Sequence, residues 1–531
     1  MAGLTTAGAR VGATTLLSRL LGFLRDLLIA RLFGADAATD AFFVAFKVPN
    51  LLRRLFAEGA FAAALVPVLQ QYRTLGDASG LRAFIDRAAG TLALVLFALT
   101  LVGVLAAPMF VLVFAPGFAA AAETHALAAA MLRLTLPYLC FIGLTALAGA
   151  LLNTYERFGV PAFTPVLLNL VLIACALWLA PRLHEPVMAL AWGVLLGGLM
   201  QLAFQLPFLA KLGLLPRPRL GFRHPGVRRI GRLMGPALFG VSVAQLALLI
   251  DTLLASFLTT GSISWLYYAD RLVEFPLGIL GAALGTVILP RLSRSGALRA
   301  APGADEPFSA TLDWALRWVL LLGVPASIGL MLLAGPILAT LFLSASFDAG
   351  DVAMARQSLV AYAAGLTGFM AVKALAPGYY ARQDMRAPVR IALMALAVNL
   401  ALSLVLMAPF GHGGLALATS VAALLNGGLL LLGLVRSGVY RPRPGWRRLL
   451  RRALAANLAM ALLLWWLAGA DADWLSADTA SRTGRLLAII AAAALVYGGA
   501  LLALGLRPRH FREPPPLAVH DDAQARAAGS L

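Results

Sequence analysis

The sequence predicts an all-α polytopic membrane protein with fourteen transmembrane helices, arranged as two pseudo-twofold-related six-helix lobes plus two C-terminal helices. Composition is the first reason, because 61% of the 531 residues are apolar and only 13% are charged. An ordinary soluble domain has roughly 45–50% apolar and 25% charged residues. The mean hydropathy of +0.86 is spread over the whole chain, so nearly every helix must face lipid or another apolar helix.

The helices are predicted from apolar runs that end at glycine, proline or charged residues. The first run follows Arg10 without a cleavage site and continues into further spans, so we expect a retained helix and not a signal peptide. Cys140 and Cys175 lie inside apolar runs, which argues against a disulfide or a cysteine metal site. The predicted helices fall near 11–33, 38–70, 84–114, 124–153, 160–180, 187–210, 229–258, 263–290, 309–342, 352–381, 387–408, 414–435, 449–468 and 484–506.

The distribution of basic residues predicts the orientation of these helices. The even-numbered connections and the two termini contain 29 of the 43 lysines and arginines, whereas the odd-numbered connections contain three. Basic residues concentrate on the cytoplasmic side of membrane proteins. We therefore expect both termini in the cytoplasm and a multi-pass protein of the bacterial inner membrane.

An internal duplication supports the two lobes. Four pairs of residues recur in the same order at separations of 223 to 229 positions: Pro67 and Pro290, Pro108 and Pro336, Phe118 and Phe347, and Pro161 and Pro388. A repeat of six helices inserts both copies in the same orientation. The predicted organisation is an N-lobe over 1–215, a C-lobe over 216–440, two further helices within 441–506 and a disordered cytoplasmic tail over 507–531.

The remaining eleven basic residues lie within the predicted helices, where a charge costs about 2.5–3.5 kcal/mol on insertion scales. Some of them, namely Arg31, Arg133, Arg317 and Arg356, are expected to extend to the lipid headgroups. The others are expected to line a wet cavity together with nearby acids. The candidate substrate-binding residues are Arg19, Arg25, Asp40, Arg53, Arg54, Glu58, Asp270, Arg271, Glu274 and Lys373.

The balance of these charges is positive, and a guanidinium group offers several donors to phosphate oxygens. The expected ligand is therefore an anion such as a phosphate or pyrophosphate. Within this set Arg54 and Glu58 are four residues apart on one helix face. Asp270 and Glu274 also share a face, so Arg271 is expected either to point elsewhere or to extend its long side chain around the helix.

Four segments closely resemble signatures of the MurJ (MviN) lipid II flippases, a family of the multidrug/oligosaccharidyl-lipid/polysaccharide exporter superfamily. They are SRLLGFLRD at 18–26, TDAFFVAFKVPNLLRRLFAEGAF at 39–61, YYADRLVEFP at 267–276 and KALAPGYY at 373–380. The resemblance implies a flippase that moves the undecaprenyl-pyrophosphate-linked peptidoglycan precursor from the cytoplasmic to the periplasmic leaflet by alternating access. It implies that the essential charges are Arg19, Arg25, Asp40, Arg53, Arg271 and Lys373, with Glu58, Asp270 and Glu274 nearby.

The resemblance further implies a groove for the polyprenyl tail on the last two helices, no cofactor, and membrane potential as the driving force, with sodium as coupling ion in some members. Asp251 and Asn399 are candidates for a sodium site, and an interhelical hydrogen bond is the alternative for either. Lipid II and membrane lipids are the expected partners, together with other cell-wall synthesis proteins. The basic loops at 211–232 and 436–452 are expected to face anionic headgroups and not nucleic acid.

Three alternative functions were compared with this one. An enzyme is disfavoured, because the chain contains no Walker A, Gly-x-Ser-x-Gly or His-Glu-x-x-His motif. A cation antiporter of the same superfamily needs an acidic cavity, whereas this one is rich in arginine. A flippase for O-antigen or exopolysaccharide carries a similar pyrophosphate, and only the motifs separate it from a lipid II flippase.

Overall fold

The computed structural model describes residues 2–56, 60–74, 78–297 and 305–506 of the chain. Helices dominate all four ranges, and these ranges contain no β-strand. Glu58 and the predicted tail at 507–531 lie outside the described residues. Among the described residues, nine helical segments are long and apolar enough to cross a membrane by length and composition.

The helices are numbered along the chain, and short 3₁₀ and π segments occur between some of them. They are α1 (Ala2–Phe33), α2 (Ala37–Phe56), α3 (Ala60–Thr74), α4 (Ala78–Leu105), α5 (Ala107–Phe114), α6 (Ala122–Thr135), α7 (Tyr138–Thr154), α8 (Gly159–Ala174), α9 (Met188–Lys211), α10 (Pro225–Ala255), α11 (Ser262–Ala297), α12 (Asp305–Trp318), α13 (Val324–Leu332), α14 (Ala334–Leu341), α15 (Ala349–Tyr380), α16 (Arg386–Arg436), α17 (Trp446–Ala468), α18 (Asp471–Ser476) and α19 (Thr479–Ala503).

The described parts of the predicted apolar runs fall on helical chain, but several runs are divided differently: 84–114 comprises α4 and α5, 124–153 comprises α6 and α7, and 309–342 comprises α12, α13 and α14. The run predicted as one helix over 38–70 consists of α2 and α3. The two runs at 387–408 and 414–435 both lie in α16, which bends at Gly411. Gly411 has φ 54° and ψ −133°, a conformation that only glycine adopts without strain. A single residue therefore replaces the loop expected between these two helices.

The chain forms two compact units. The first contains residues 1–268 and 342–351, and the second contains 269–341 and 352–531. In the first unit, apolar side chains of α3, α4, α7 and α9 form a buried core that includes Leu65, Leu69, Phe84 and Leu151. The first unit extends beyond the predicted N-lobe, because it also contains α10, the beginning of α11 and the segment 342–351.

In the second unit, Asp313 fastens the start of α17 to α12. Its buried carboxylate accepts hydrogen bonds from the Tyr440 hydroxyl at 2.9 Å and from Trp446 Nε1 at 2.7 Å. It also forms a 2.7 Å ion pair with Arg317. Burial and the neighbouring Asp313 carboxylate raise the pKa of Tyr440 well above its ordinary value, so that the hydroxyl remains a donor. Arg317, expected to reach the headgroups, is instead paired here.

We expect Asp313→Ala to destabilise the second unit by about 3 kcal/mol, since it removes bonds to a buried carboxylate and leaves Arg317 without its acid. Asp313→Asn keeps an acceptor but loses the charge, so its effect should be smaller. Thermal unfolding of the purified protein in detergent, followed by tryptophan fluorescence, measures both. Equal midpoints for wild type and Asp313→Ala would contradict this role.

The opposite end of the α17 and α19 pair is also fastened within the second unit. The buried Arg482 donates to the carbonyl of Ala339 at 2.7 Å, and Arg356 pairs with Asp471. The Trp474 indole is buried and donates to the carbonyl of Ala468. The two helices and their connection are therefore held against α14 and α15 at one end and against α12 at the other.

Candidate functional site

Arg25 is the centre of a polar cluster inside the first unit. Its guanidinium donates to Asp26 Oδ1 from Nε at 2.9 Å and from Nη2 at 2.7 Å, and from Nη1 to Asn169 Oδ1 at 2.9 Å. The Tyr267 hydroxyl lies 3.4 Å from Nη2 and donates to Asp26 Oδ1 at 3.0 Å. Arg25 and Asp26 are largely buried, with side chains 11% and 4% exposed. The cluster therefore holds a guanidinium, a carboxylate, an amide and a phenol in one network.

Three helices position these side chains. Arg25 and Asp26 lie on α1, Asn169 on α8 and Tyr267 in the first turns of α11. Asn169 Nδ2 also donates to the carbonyl of Ser18 at 3.0 Å, which fixes the amide across α1. Sequence reasoning did not select Asp26, Asn169 or Tyr267 as site residues. Two signals were available in the sequence. Asn169 lies within an apolar span, and Asp26 and Tyr267 lie inside the motifs quoted above.

Asp40 binds the beginning of α11. Its buried carboxylate accepts from the amide of Gly261 at 2.7 Å, the amide of Ser264 at 2.8 Å and the Ser264 hydroxyl at 2.6 Å. Amides in the first turn of a helix have no partner within the helix, and the helix dipole favours an anion there. Asp40 of α2 therefore caps a helix that begins more than 220 residues later in the chain.

The cap and the Arg25 cluster are joined through α11 and α2. Tyr267, one turn after Ser264, stacks on Phe43 with ring centroids 3.9 Å apart. Phe43 follows Asp40 by one turn of α2, and the buried Tyr268 hydroxyl donates to the carbonyl of Gly34 at 3.0 Å. The start of α11 thus contacts both Asp40 and Arg25 and links these two groups structurally.

Close backbone approaches join four segments of the first unit into one layer around the Asp40 cap, which we call the closure layer: residues 34–40, 116–118, 256–264 and 342–351. A methyl group on Gly34 would lie 1.9 Å from the carbonyl oxygen of Ser346, and one on Gly117 would lie 1.9 Å from that of Ser256. Trp265 Nε1 donates to Asp351 at 2.8 Å. Glycine at both positions allows the chains to meet without an intervening side chain.

The other predicted residues of the first unit lie apart from this cluster. Arg19 is exposed on α1, one and a half turns before Arg25, and Arg54 is half-buried near the end of α2. Arg53 donates from Nε and Nη2 to Asn50 Oδ1 at 3.1 and 2.9 Å. Lys47 precedes Asn50 by one turn of α2 and donates to the Thr252 hydroxyl.

In the second unit, Arg271 pairs with Glu274 at 2.5 Å. Of the two alternatives for Arg271, the one in which it points away from both acids is therefore wrong, because the side chain turns toward Glu274. Residues three apart on a helix are neighbours just as residues four apart are, and the long arginine side chain can turn toward an acid on either side. Asp270 is half-buried and Lys373 is exposed on α15.

The candidate sodium residues occur in different units. Asp251 is buried on α10 in the first unit, and Asn399 is buried on α16 in the second. Asn399 Oδ1 lies 3.3 Å from the donating Thr419 hydroxyl, across the bend of α16. This is the interhelical hydrogen bond considered as the alternative. Within the described residues no group of three or more histidine, cysteine, aspartate or glutamate side chains could hold a metal.

Comparison with known proteins identifies the family of the chain. The family profile of lipid II flippase MurJ matches residues 29–480. The chain is 47% identical to the probable lipid II flippase MurJ of Vibrio cholerae, over 96% of this chain and 98% of that protein. It is 44% identical to the lipid II flippase MurJ of Burkholderia cenocepacia, over 94% and 98%.

Solved structures show the same fold. A lipid II flippase MurJ in an inward closed conformation aligns with a TM-score of 0.77 at 25% identity, covering 92% of this chain and 97% of that one. An inward-facing multidrug resistance MATE transporter of the MOP superfamily aligns with a TM-score of 0.65 at 14% identity, over 82% and 98%, a likeness of fold alone. A profile match over most of the chain and near-full-length relatives at 44–47% identity lead to one conclusion: this multi-pass membrane protein belongs to the lipid II flippase MurJ family.

Proposed function

We propose that this protein is a flippase that moves lipid II, the undecaprenyl-pyrophosphate-linked peptidoglycan precursor, from the cytoplasmic to the periplasmic leaflet of a bacterial inner membrane. The observation that carries the proposal is the buried Arg25 network in a chain of the MurJ family. The protein acts as a transporter and not as an enzyme, so its task is to bind, enclose and release the substrate.

The chemistry of the Arg25 network suits a diphosphate. A guanidinium binds a carboxylate and a phosphate with the same fork of donors. In the resting network these donors are satisfied by Asp26 and Asn169. A diphosphate entering the site takes over as acceptor from these two side chains, so Arg25 never has to lose a hydrogen-bond partner while desolvated. Asp26 and Asn169 thereby keep the guanidinium oriented until the substrate arrives.

The remaining charges act around this centre. Arg19 and Arg53, on the same two helices as Arg25 and Asp40, bind the second phosphate or the adjacent sugar. In the second unit, Arg271 and Lys373 are further candidates for binding the anionic substrate. Arg271 is held by Glu274, in the same way that Arg25 is held by Asp26.

The closure layer gives the direction of transport. Both termini and the basic connections face the cytoplasm, so the layer carrying Asp40 and Gly261 lies at the periplasmic end. In this proposal the bonds from the Gly261 and Ser264 amides to Asp40 hold this end closed, and lipid II enters from the cytoplasmic leaflet. Breaking the cap releases the start of α11, and with it Tyr267, from the Arg25 network. Membrane potential drives this change, with sodium at Asp251 or Asn399 as the coupling ion.

The tail of the substrate stays in lipid. α17 exposes a row of large apolar side chains that includes Leu454, Leu458, Leu462, Trp465 and Trp466. A polyprenyl chain lies along this face beside α19 while the headgroup passes through the protein. Other cell-wall synthesis proteins, which take up lipid II after release, are the expected partners.

The test is to deplete the protein in cells and to measure in which leaflet lipid II accumulates. Retention of lipid II in the cytoplasmic leaflet, reversed by re-expression of the wild type, is expected. Purified protein in proteoliposomes should translocate lipid II in preference to a polyprenyl-pyrophosphate O-antigen unit and should not exchange organic cations. Preference for the O-antigen cargo, or normal lipid II distribution after depletion, would refute the proposal.

A further inference from the structure

A second basic site lies in the first unit, outside the Arg25 network. A cavity of about 550 Å³ opens where α4 meets the loop between α9 and α10. Its walls are Arg87 of α4 and the loop residues 220–225, which end at the first residue of α10. A cavity of this size is typical for a small ligand or a headgroup.

The loop is fixed along α4 by specific bonds. The buried Asp86 accepts from the amide of Arg217 through its side chain at 2.7 Å and from the amide of Arg219 through its carbonyl at 3.0 Å. The Thr91 hydroxyl accepts from the amide of Gly221 at 3.0 Å. Gly90 permits this approach, because a methyl group there would lie 2.3 Å from the Arg219 carbonyl oxygen. The cavity is therefore a formed feature of the fold.

The charge of the cavity is positive. Arg87 and Arg223 both line it, and among the described residues neither is paired with a carboxylate. The His224 ring stacks near Tyr72 and Phe84, and its buried Nδ1 has no hydrogen-bond partner in the described chain. Burial, and secondarily the charge of Arg87, lower the pKa of His224. The start of α10 adds the positive end of a helix dipole. An anion would satisfy this cluster.

The rim of the cavity is apolar. Leu220 and Phe222 lie between Arg219 and Arg223 of the loop and are 64% and 53% exposed. Large apolar side chains exposed beside arginines are typical of a segment lying in the membrane interface, with the apolar groups among acyl chains and the arginines at the headgroups. A soluble anion would make no use of this rim.

We propose that this cavity binds the phosphate headgroup of an anionic phospholipid, with Arg87 and Arg223 on the phosphate and Leu220 and Phe222 among the acyl chains. The bound lipid anchors the loop between α9 and α10 at the membrane surface. This site differs from the substrate site in position and in ligand, and it does not depend on the proposed flippase activity.

The experiment titrates the purified full-length protein in detergent with dioctanoyl phosphatidylglycerol, dioctanoyl phosphatidylcholine or inorganic phosphate, and counts bound molecules by native mass spectrometry. Each interfacial arginine contributes about 1 kcal/mol toward an anionic lipid. We therefore expect wild type to prefer phosphatidylglycerol over phosphatidylcholine by roughly tenfold or more. R87Q/R223Q should lose most of this preference, and L220Q/F222Q should weaken binding of both lipids.

The matched control is R386Q/R390Q, which removes two exposed arginines of α16 far along the chain and should keep the preference. Because the stem of Arg87 packs on Gly221, R223Q alone serves if the double variant fails to fold, with an expected loss of roughly fivefold. An unchanged preference in R87Q/R223Q or in R223Q would overturn the proposal. So would displacement of phosphatidylglycerol by millimolar inorganic phosphate, which would indicate a site for free phosphate.

Discussion

Arg25→Glu is expected to reduce lipid II translocation at least about 100-fold while the protein still inserts in the membrane. The substitution removes the donors for the diphosphate and places a second carboxylate beside the buried Asp26. Charge-assisted hydrogen bonds contribute about 1.5–3 kcal/mol each, so the loss of two already accounts for this factor. Complementation of a depleted strain and translocation in proteoliposomes measure the effect.

Two further variants separate charge from geometry at this position. Arg25→Lys keeps the charge but cannot reach Asp26 and Asn169 together, so we expect partial activity. Arg157→Glu reverses an exposed charge on the loop after α7 and should behave as wild type. Normal translocation by Arg25→Glu, at wild-type expression, would exclude Arg25 from the substrate site.

Asp40→Ala is expected to open the closure layer and to abolish transport. The variant leaves the amides of Gly261 and Ser264 and the Ser264 hydroxyl buried without their acceptor. Each unsatisfied buried donor costs about 1–3 kcal/mol, so the sealed state should lose stability by a factor of roughly 100 or more. The consequence is a protein that no longer holds the closure layer together.

Accessibility of a cysteine at position 41 measures this opening, in a background where Cys140 and Cys175 are replaced by serine. Ala41 is fully buried next to Asp40, so A41C should react slowly with a membrane-impermeant maleimide added from the periplasm. D40A should raise the labelling rate by about tenfold or more, whereas S264A, which removes one donor only, should raise it less. E123Q, at an exposed position of α6, is the control. Unchanged labelling in D40A would show that Asp40 does not seal the layer.

The sequence was sufficient to locate the helical runs and to select Arg25 and Asp40 as candidates, but not to predict the partners of these two side chains. Hydrophobic runs and the cost of membrane charge depend on local sequence, so the helices and the charged candidates could be predicted. Asn169 and Tyr267 reach Arg25 from positions 144 and 242 residues away, and such contacts depend on packing. The amides of Gly261 and Ser264 carry no side-chain signature, so the cap on α11 could not be predicted.

Arg271 shows a different limit of predicting side-chain partners from the sequence. Its own helix offered two acids, at one residue before and three after, and the face shared by Asp270 and Glu274 indicated an arginine that points elsewhere or extends around the helix. In the structure Arg271 pairs with Glu274. A long arginine side chain can reach either neighbouring acid, and the surrounding packing determines which one it contacts. Spacing along one helix does not contain that information.

The fastening of α17 and α19 at both ends leaves this hairpin without a hinge of its own. Asp313 holds one end, and Arg482 and Asp471 hold the other. A displacement of α12, α14 or α15 therefore moves α17 and α19 with it. A fluorophore on the exposed Ser476 would consequently report motion of the second unit as a whole, and not independent motion of its last two helices.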